Sequence, residues 1–238
     1  AWKDSTLNQK GQGIEVVPGK PGLVTLEQTI VLTESGSSAT YRYTINGQGK
    51  LKVDVSFVFA GEGTFSEIPR IGSNFQMPVE FDQVTYYGRG PHENYWDRKT
   101  SAFVGVYQGE VKDLAFDYIR PQENGNRSDL RWATLTNANG IGFRISGLST
   151  IDFSAHHQPL SDFDPGIEKA QRQHTDIKKR NLVSVNIDYK QSGVGGDNSW
   201  GARAWDKYQL KAGDYHYAFM LSPIDTAPDY AAGQTIAI

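Results

Sequence analysis

Apolar side chains recur at every second position through much of this chain. Tyr41, Tyr43 and Ile45 lead into Asn46-Gly47, and Leu51, Val53, Val55, Phe57 and Phe59 resume the same rhythm beyond it. A period of two puts one set of side chains on one face of a strand, and Asn-Gly accepts the positive φ of a tight reversal, so the stretch predicts a β-hairpin. Asn139-Gly140 repeats the device between DLRWATLT and IGFRISG, and Ala212-Gly213-Asp214 predicts a third reversal between WDKYQLK and YHYAFML. VTLEQTIVL, NFQMP, FDQVTYY, LAFDYIR, TIDFSAH and LVSVNIDYK predict further strands, all rich in β-branched or aromatic residues. Helix has one candidate, PGIEKAQRQ, with Asp164 as its cap and Pro165 in its first turn. Many strands, short polar connections and almost no helix predict an all-β chain, a single large antiparallel β-sandwich over residues 1–238.

Composition narrows what such a sandwich can do. At 238 residues the chain is long enough to bury a core without a metal or disulfide staple. It has no cysteine, which removes thiol nucleophiles, Cys-ligated zinc, iron–sulfur clusters and disulfides. The net charge of −3, with its lysines and arginines scattered, offers no basic face, so no nucleic-acid partner is expected. No apolar run is long enough to span a bilayer, so no membrane partner is expected either. The opening AWKDSTLNQK lacks the charged-then-apolar layout of an export signal and reads as a mature start or as a cut from something longer.

Candidate chemistry concentrates in a few stretches. GRGPHE and GVGGDNSW invite a phosphate cradle, but a cradle needs a helix N-terminus facing the anion, and neither stretch leads into helical spacing. His156 and His157 are adjacent on a predicted strand and point to opposite faces, which predicts structural contacts rather than a shared metal. No serine sits in a G-x-S-x-G elbow. Glu93, Asp97 and Glu123 lie among aromatic residues, as the carboxylates of a glycosidase would, and that chemistry needs one protonated and one ionised acid. Each has arginines nearby in sequence, Arg98 for Glu93 and Asp97, and Arg127 and Arg131 for Glu123. An arginine within reach favours the charged form, so these acids predict clamps rather than a general acid. In SGVGGDNSWG, four glycines around Trp200 predict unusual backbone dihedrals and an outward indole, against the alternative of a tryptophan at the edge of the core.

The run PRIGSNFQMP, YYGRGPHENYWDRK, RPQENGNRSDLRW, GVGGDNSWG and YHY, from Pro69 to Tyr217, resembles the C-terminal domain of the large multidomain beta-galactosidases of glycoside hydrolase family 2. The resemblance covers most of the chain and keeps the order and approximate spacing of the five motifs. The Trp2-Lys3 start resembles a point inside that domain, just after the family's Arg-Ala-Pro-x-Asp-Asn-Asp motif, so the chain is expected to be a fragment lacking the first strands.

The resemblance implies a supersandwich of the galactose-mutarotase-like type. It also implies that the acid/base and nucleophilic glutamates lie in a preceding (β/α)₈ barrel, so no catalytic residue is expected in these residues. It implies that Trp200 reaches the mouth of that barrel and forms a platform for sugar, with Asp197 and Ser199 fixing its loop. Asn198 stands where the family commonly has another acid. Gly88, Gly90, Pro91, Glu93, Asn94, Tyr95, Asp97 and Arg98 are implied to be a structural clamp.

No cofactor is expected in this chain, and Mg or Na ions used by the parent would be bound mainly by other domains. The implied partners are the barrel and other domains of the parent, a galactoside or oligosaccharide substrate, and further copies in a homo-oligomer. Two alternatives stay open, a stand-alone carbohydrate-binding module and a mutarotase-like enzyme using His156 or His157 with a carboxylate.

Overall fold

The computed structural model describes residues 1–65, 67–164, 166, 172–198, 200–225 and 235–237. A short helix α1 (Trp2–Leu7) precedes β1 (Lys10–Gly11), β2 (Glu15–Val17), β3 (Leu23–Leu32), β4 (Ser37–Asn46) and β5 (Leu51–Val58). Then come β6 (Glu67–Ile68), β7 (Arg70–Pro78), β8 (Gln83–Gly90), β9 (Phe103–Glu110), the single-turn α2 (Val111–Leu114) and β10 (Arg127–Thr136). The chain continues through β11 (Gly142–His156), β12 (Leu182–Gln191), β13 (Leu210–Lys211), β14 (Tyr215–Ile224) and β15 (Thr235–Ala237). Most of the helix candidate PGIEKAQRQ lies outside the described residues.

The long strands form one continuous sheet in the order β1-β3-β4-β5-β14-β11-β10-β8-β9-β15, with β12 and then β7 branching from β11. All pairings are antiparallel except that of β15 with β9. The branch is possible because β11 is fifteen residues long. Its first half, Gly142 to Gly147, pairs with β14, and its second, Asp152 to His156, pairs with β12. Between the halves the register against β10 jumps from Trp132↔Ser146 to Leu130↔Ile151. Such a bulge bends a strand and increases its twist, which carries β11 from one layer into the other. Gly147 opens the bulge, and a Cβ there would lie 2.1 Å from the Ser149 carbonyl oxygen.

The layers close on each other as a sandwich. Tyr217 on β14 places its hydroxyl 2.6 Å from Ser73 Oγ on β7 and donates to the Ile187 carbonyl on β12 at 3.3 Å. Between them Val53, Val55, Phe57 and Phe219 share one buried cluster with Phe153, Val183, Val185 and Ile187, the alternate apolar residues of facing strands.

The two Asn-Gly hairpins form, with a different turn from the tight two-residue one. Asn46 Oδ1 accepts the amides of Gln48 and Lys50, both at 3.0 Å, and Asn137 Oδ1 accepts those of Asn139 and Ile141 at 2.9 and 3.1 Å. In each loop the left-handed residue is the glycine three positions after that asparagine, Gly49 and Gly140, both at φ +76°. This is a three-residue connection closed by a glycine bulge.

Two expected elements differ. WDKYQLK makes a 3₁₀ turn at Asp206–Tyr208 and then β13, which pairs with β6 rather than β14. Ser192 holds it there, accepting the Leu210 amide at 2.9 Å and donating to the Ile68 carbonyl at 2.8 Å. LAFDYIR closes α2 with Leu114 and runs on as a loop, Phe116 and Ile119 exposed, because its Tyr118 hydroxyl is taken by a buried carboxylate.

Candidate functional site

At the end of β8 the chain turns through the cis Gly90-Pro91 bond into the stretch YYGRGPHENYWDRK. Glycines are needed here for close approach. A Cβ on Gly90 would lie 2.3 Å from Tyr86 Oη, and one on Gly88 would lie 2.6 Å from Leu130 Cδ1. Beyond the turn, Glu93 is buried and both its oxygens are engaged as acceptors. Oε1 takes Arg98 Nη2 at 2.7 Å and the Tyr118 hydroxyl, and Oε2 takes the Gly125 amide at 2.7 Å.

Asn94 is fully buried, donating to the carbonyls of Arg89 and His92, both at 3.0 Å, and accepting the Ser128 amide at 2.9 Å. Tyr95 is also fully buried, with the Arg98 guanidinium 4.6 Å over its ring, and burial pushes its phenol well above the ordinary value. A carboxylate surrounded by donors in this way locks two loops together.

Asp97 does something else. No ion pair joins it to Arg98; its Oδ2 accepts the amide of Gly195 at 2.7 Å, 98 residues away. The neighbouring Trp96 ring packs edge-on against Tyr208 at 5.7 Å, and the Lys190 ammonium sits 4.3 Å from its centroid. The stretch therefore holds both arms of the loop that carries Trp200, whose indole is 94% exposed. The glycines in the rising arm serve packing rather than unusual dihedrals, since of the loop's glycines only Gly201 has positive φ, +100°. A Cβ on Gly193 would lie 2.7 Å from Asp97 Oδ2, and one on Gly196 would lie 2.0 Å from the Ala202 carbonyl oxygen. Asn198 Oδ1 accepts the Trp200 amide at 2.8 Å, Asp197 is exposed, and Ser199 lies outside the described residues.

A second cluster joins His156 and Glu123 to buried and half-buried polar side chains of β7, β11 and β12. On β11 and β12, Asp152, Ser154 and His156 pair in register with Asp188, Asn186 and Ser184, and all six are buried. Asn74 on β7 donates to Asn186 Oδ1 at 2.9 Å, and Asn186 donates to Ser154 Oγ at 3.0 Å. Glu123 pairs not with Arg127 or Arg131 but with Arg70, whose Nη2 is 2.9 Å from its Oε1 and whose Nε is 3.2 Å from Asp188 Oδ2. Both contacts are ion pairs by distance without an aligned hydrogen bond.

Burial pushes the carboxyls of Asp152 and Asp188 up to about 7, the latter against the pull of Arg70. Burial, reinforced by Arg70 and Arg127, pushes His156 down to about 4. At neutral pH its uncharged ring donates through Nε2 to Asn124 Oδ1 at 3.0 Å, and His157 donates through Nδ1 to the Leu182 carbonyl at 3.0 Å. Asp152 and Asp188 are 4% and 1% exposed, so perturbed acids are present but closed to substrate. Among the described residues, no three histidine, aspartate or glutamate side chains are grouped to hold a metal.

The fold places the chain among large antiparallel β-sandwiches. The GH36 alpha-galactosidase AgaA from Geobacillus stearothermophilus superposes on 92% of this chain, using 28% of its own, with a TM-score of 0.50 at 11% identity, a likeness of fold alone. Sequence then fixes the family: residues 1–221 match the beta galactosidase small chain, and the chain belongs to that family. Among curated relatives, the beta-galactosidase of Priestia megaterium is 40% identical over 224 residues, 94% of this chain and 21% of its own. That of Halalkalibacterium halodurans is 31% identical over 94% of this chain and 22% of its own. The chain thus spans about a fifth of the length of these relatives.

Proposed function

We propose that this chain is the non-catalytic C-terminal sandwich of a longer enzyme that hydrolyses terminal β-galactosides with net retention. In this reading the bond is broken by two glutamates in a (β/α)₈ barrel elsewhere in the parent, and the chain completes the wall of that pocket with Trp200. One observation carries it: an indole 94% exposed on a loop whose arms are packed down at both ends. A large aromatic surface is usually buried, and one held out on a fixed support is suited to stack against a sugar face. The acids most able to suggest chemistry here are tied as acceptors or closed from solvent, which leaves the platform as the accessible feature. Any Mg or Na ions of the parent belong mainly to its other domains.

An apolar cleft of about 550 Å³ beside α1, lined by Trp2, Leu7, Ile30, Leu32, Phe57 and Ile71, is in this reading covered by further chain of the parent. His156 and His157, buried and engaged, lend nothing to a mutarotase-like alternative.

A sugar covering about 60–100 Å² of the ring would gain roughly 1.5–2.5 kcal/mol, ten- to seventy-fold in affinity. The barrier lowering of a whole enzyme is about 8–23 kcal/mol. In the full-length protein, Trp200→Ala should therefore weaken binding of a sugar aglycone by about that factor while affecting attack on a nitrophenyl galactoside far less. Equal, thousand-fold losses on both substrates would overturn the reading.

A further inference from the structure

The geometry points to Asp97 as the positioning residue of the Trp200 loop, acting on sugar recognition through the indole without touching sugar itself; this rests on the reading of Trp200 as a pocket wall. Asp97 sits on the far side of a rigid unit. Asn94 and Glu93, three and four positions before it, are buried and joined by hydrogen bonds to Asn126, Ser128 and Gly125. From that base, two consecutive side chains reach the loop. Trp96 meets Tyr208 on the returning arm, and Asp97 takes the Gly195 amide on the rising arm. Tyr208 is in turn tied to the rising arm, its carbonyl accepting the Gly193 amide at 2.6 Å.

The sequence of the loop is fitted to this carboxylate. Gly193 and Gly195 approach Asp97 Oδ2 so closely that added Cβ atoms would stand 2.7 and 3.2 Å from it, and at Gly193 a Cβ would also stand 2.8 Å from Ala204 Cβ. Neither glycine has positive φ, so what their hydrogens supply is room for the acid. Asp97 Oδ1 is buried without a hydrogen-bond partner, so the whole carboxylate is committed to this corner. Among the described residues from Gly195 to Trp200, the Asn198 side chain also holds the Trp200 amide, and Gly196 packs on the Ala202 carbonyl. Loss of the acceptor frees the arm that sets where the indole stands. A radial gap of about 0.5–1 Å forfeits roughly a quarter to a half of a van der Waals contact, so a modest shift of the indole weakens stacking.

The test uses the full-length protein with Asp97→Ala, Asp97→Asn, Gly193→Ala and Trp200→Ala. Hydrogen exchange of the peptide covering residues 193–200, followed by mass spectrometry, reads the anchor directly. Exchange should rise at least about tenfold in Asp97→Ala and in Gly193→Ala, and stay near wild type in Asp97→Asn, which keeps an acceptor. Inhibition by glucose, a hexopyranose probe of the aglycone position, reads the consequence. Asp97→Ala should weaken it about as much as Trp200→Ala, with the loss falling on this affinity rather than on kcat for nitrophenyl galactoside, and the double variant should lose little more.

Unchanged exchange in both Asp97→Ala and Gly193→Ala would overturn the inference. So would a loosened loop with glucose affinity intact in a protein where Trp200→Ala abolishes it. If Trp200→Ala leaves glucose affinity untouched, the wall reading falls, and the anchor itself is then decided by exchange alone.

Discussion

Asp152 on β11 and Asp188 on β12 stand directly opposite one another across adjacent strands, both buried. The third strand of the row makes room for them: Gly72 on β7 is the register partner of Asp188, and a Cβ there would lie 1.7 Å from Asp188 Oδ1. Both carboxyls are pushed by burial to about 7, so between the ordinary carboxylate range and pH 7 the folded chain holds protons that the unfolded chain releases. Their stabilising linkage is complete below about pH 4 and is lost as pH rises through 7. His156, pushed to about 4, works oppositely, adding stability as pH rises from about 4 to 6.5. Asp152→Asn should remove part of the decline. In urea, its stability relative to wild type should increase from pH 5 to pH 8, by on the order of 2 kcal/mol. A difference independent of pH would contradict this assignment.

Asn94→Ala should be among the most damaging polar substitutions. It strips acceptors or donors from the Arg89 and His92 carbonyls and the Ser128 amide in a fully buried site. Each unsatisfied group costs about 1–3 kcal/mol, and partial relaxation leaves an expected loss of roughly 3 kcal/mol in a urea titration. A loss below about 1 kcal/mol would show that the clamp is redundant.

Gly90→Ala and Gly13→Ala separate two uses of glycine. At Gly90 the new methyl would meet Tyr86 Oη at 2.3 Å and the Tyr107 ring at 2.9 Å, with both tyrosines buried. Overpacking of that kind costs about 1–3 kcal/mol or more. At Gly13 nothing lies within 4 Å and φ is ordinary, so thermal midpoints should separate the two, with Gly13→Ala within about 0.5 kcal/mol of wild type.

At the second hairpin the informative asparagine is not the one beside the glycine. Asn137→Ala removes the acceptor of the Asn139 and Ile141 amides and should cost about 1–2 kcal/mol, whereas the exposed Asn139→Ala should change stability by less than about 0.5 kcal/mol. The opposite order in paired denaturation curves would return the turn to the Asn-Gly dipeptide.

That hairpin shows what alternation and turn chemistry can and cannot reveal. Period-two patterning located β3, β4, β5, β7, β8, β10, β11, β12 and β14, because burying one face of a strand leaves a local record. It failed at LAFDYIR, whose strand-like composition is overruled by the grip of Glu93 on Tyr118. Strand composition also does not reveal that both alternating sets of TIDFSAH and LVSVNIDYK turn inward, where Asp152, Ser154, Asn186 and Asp188 are buried along with Ile151, Phe153, Val185 and Ile187.

Charge pairing was the least legible. Arg98 holds Glu93 as their spacing suggests, but Glu123 finds Arg70, and Asp97 finds a backbone amide rather than any cation. Nearness in sequence predicts contact in helices and turns, while a sandwich assembles its partners from strands far apart in the chain.

The bulged strand β11 runs through both layers, so the covalent backbone itself stitches them together. With β14 paired to its first half and β12 to its second, neither layer has a strand edge there at which to part from the other, and the described strands should melt as one cooperative unit.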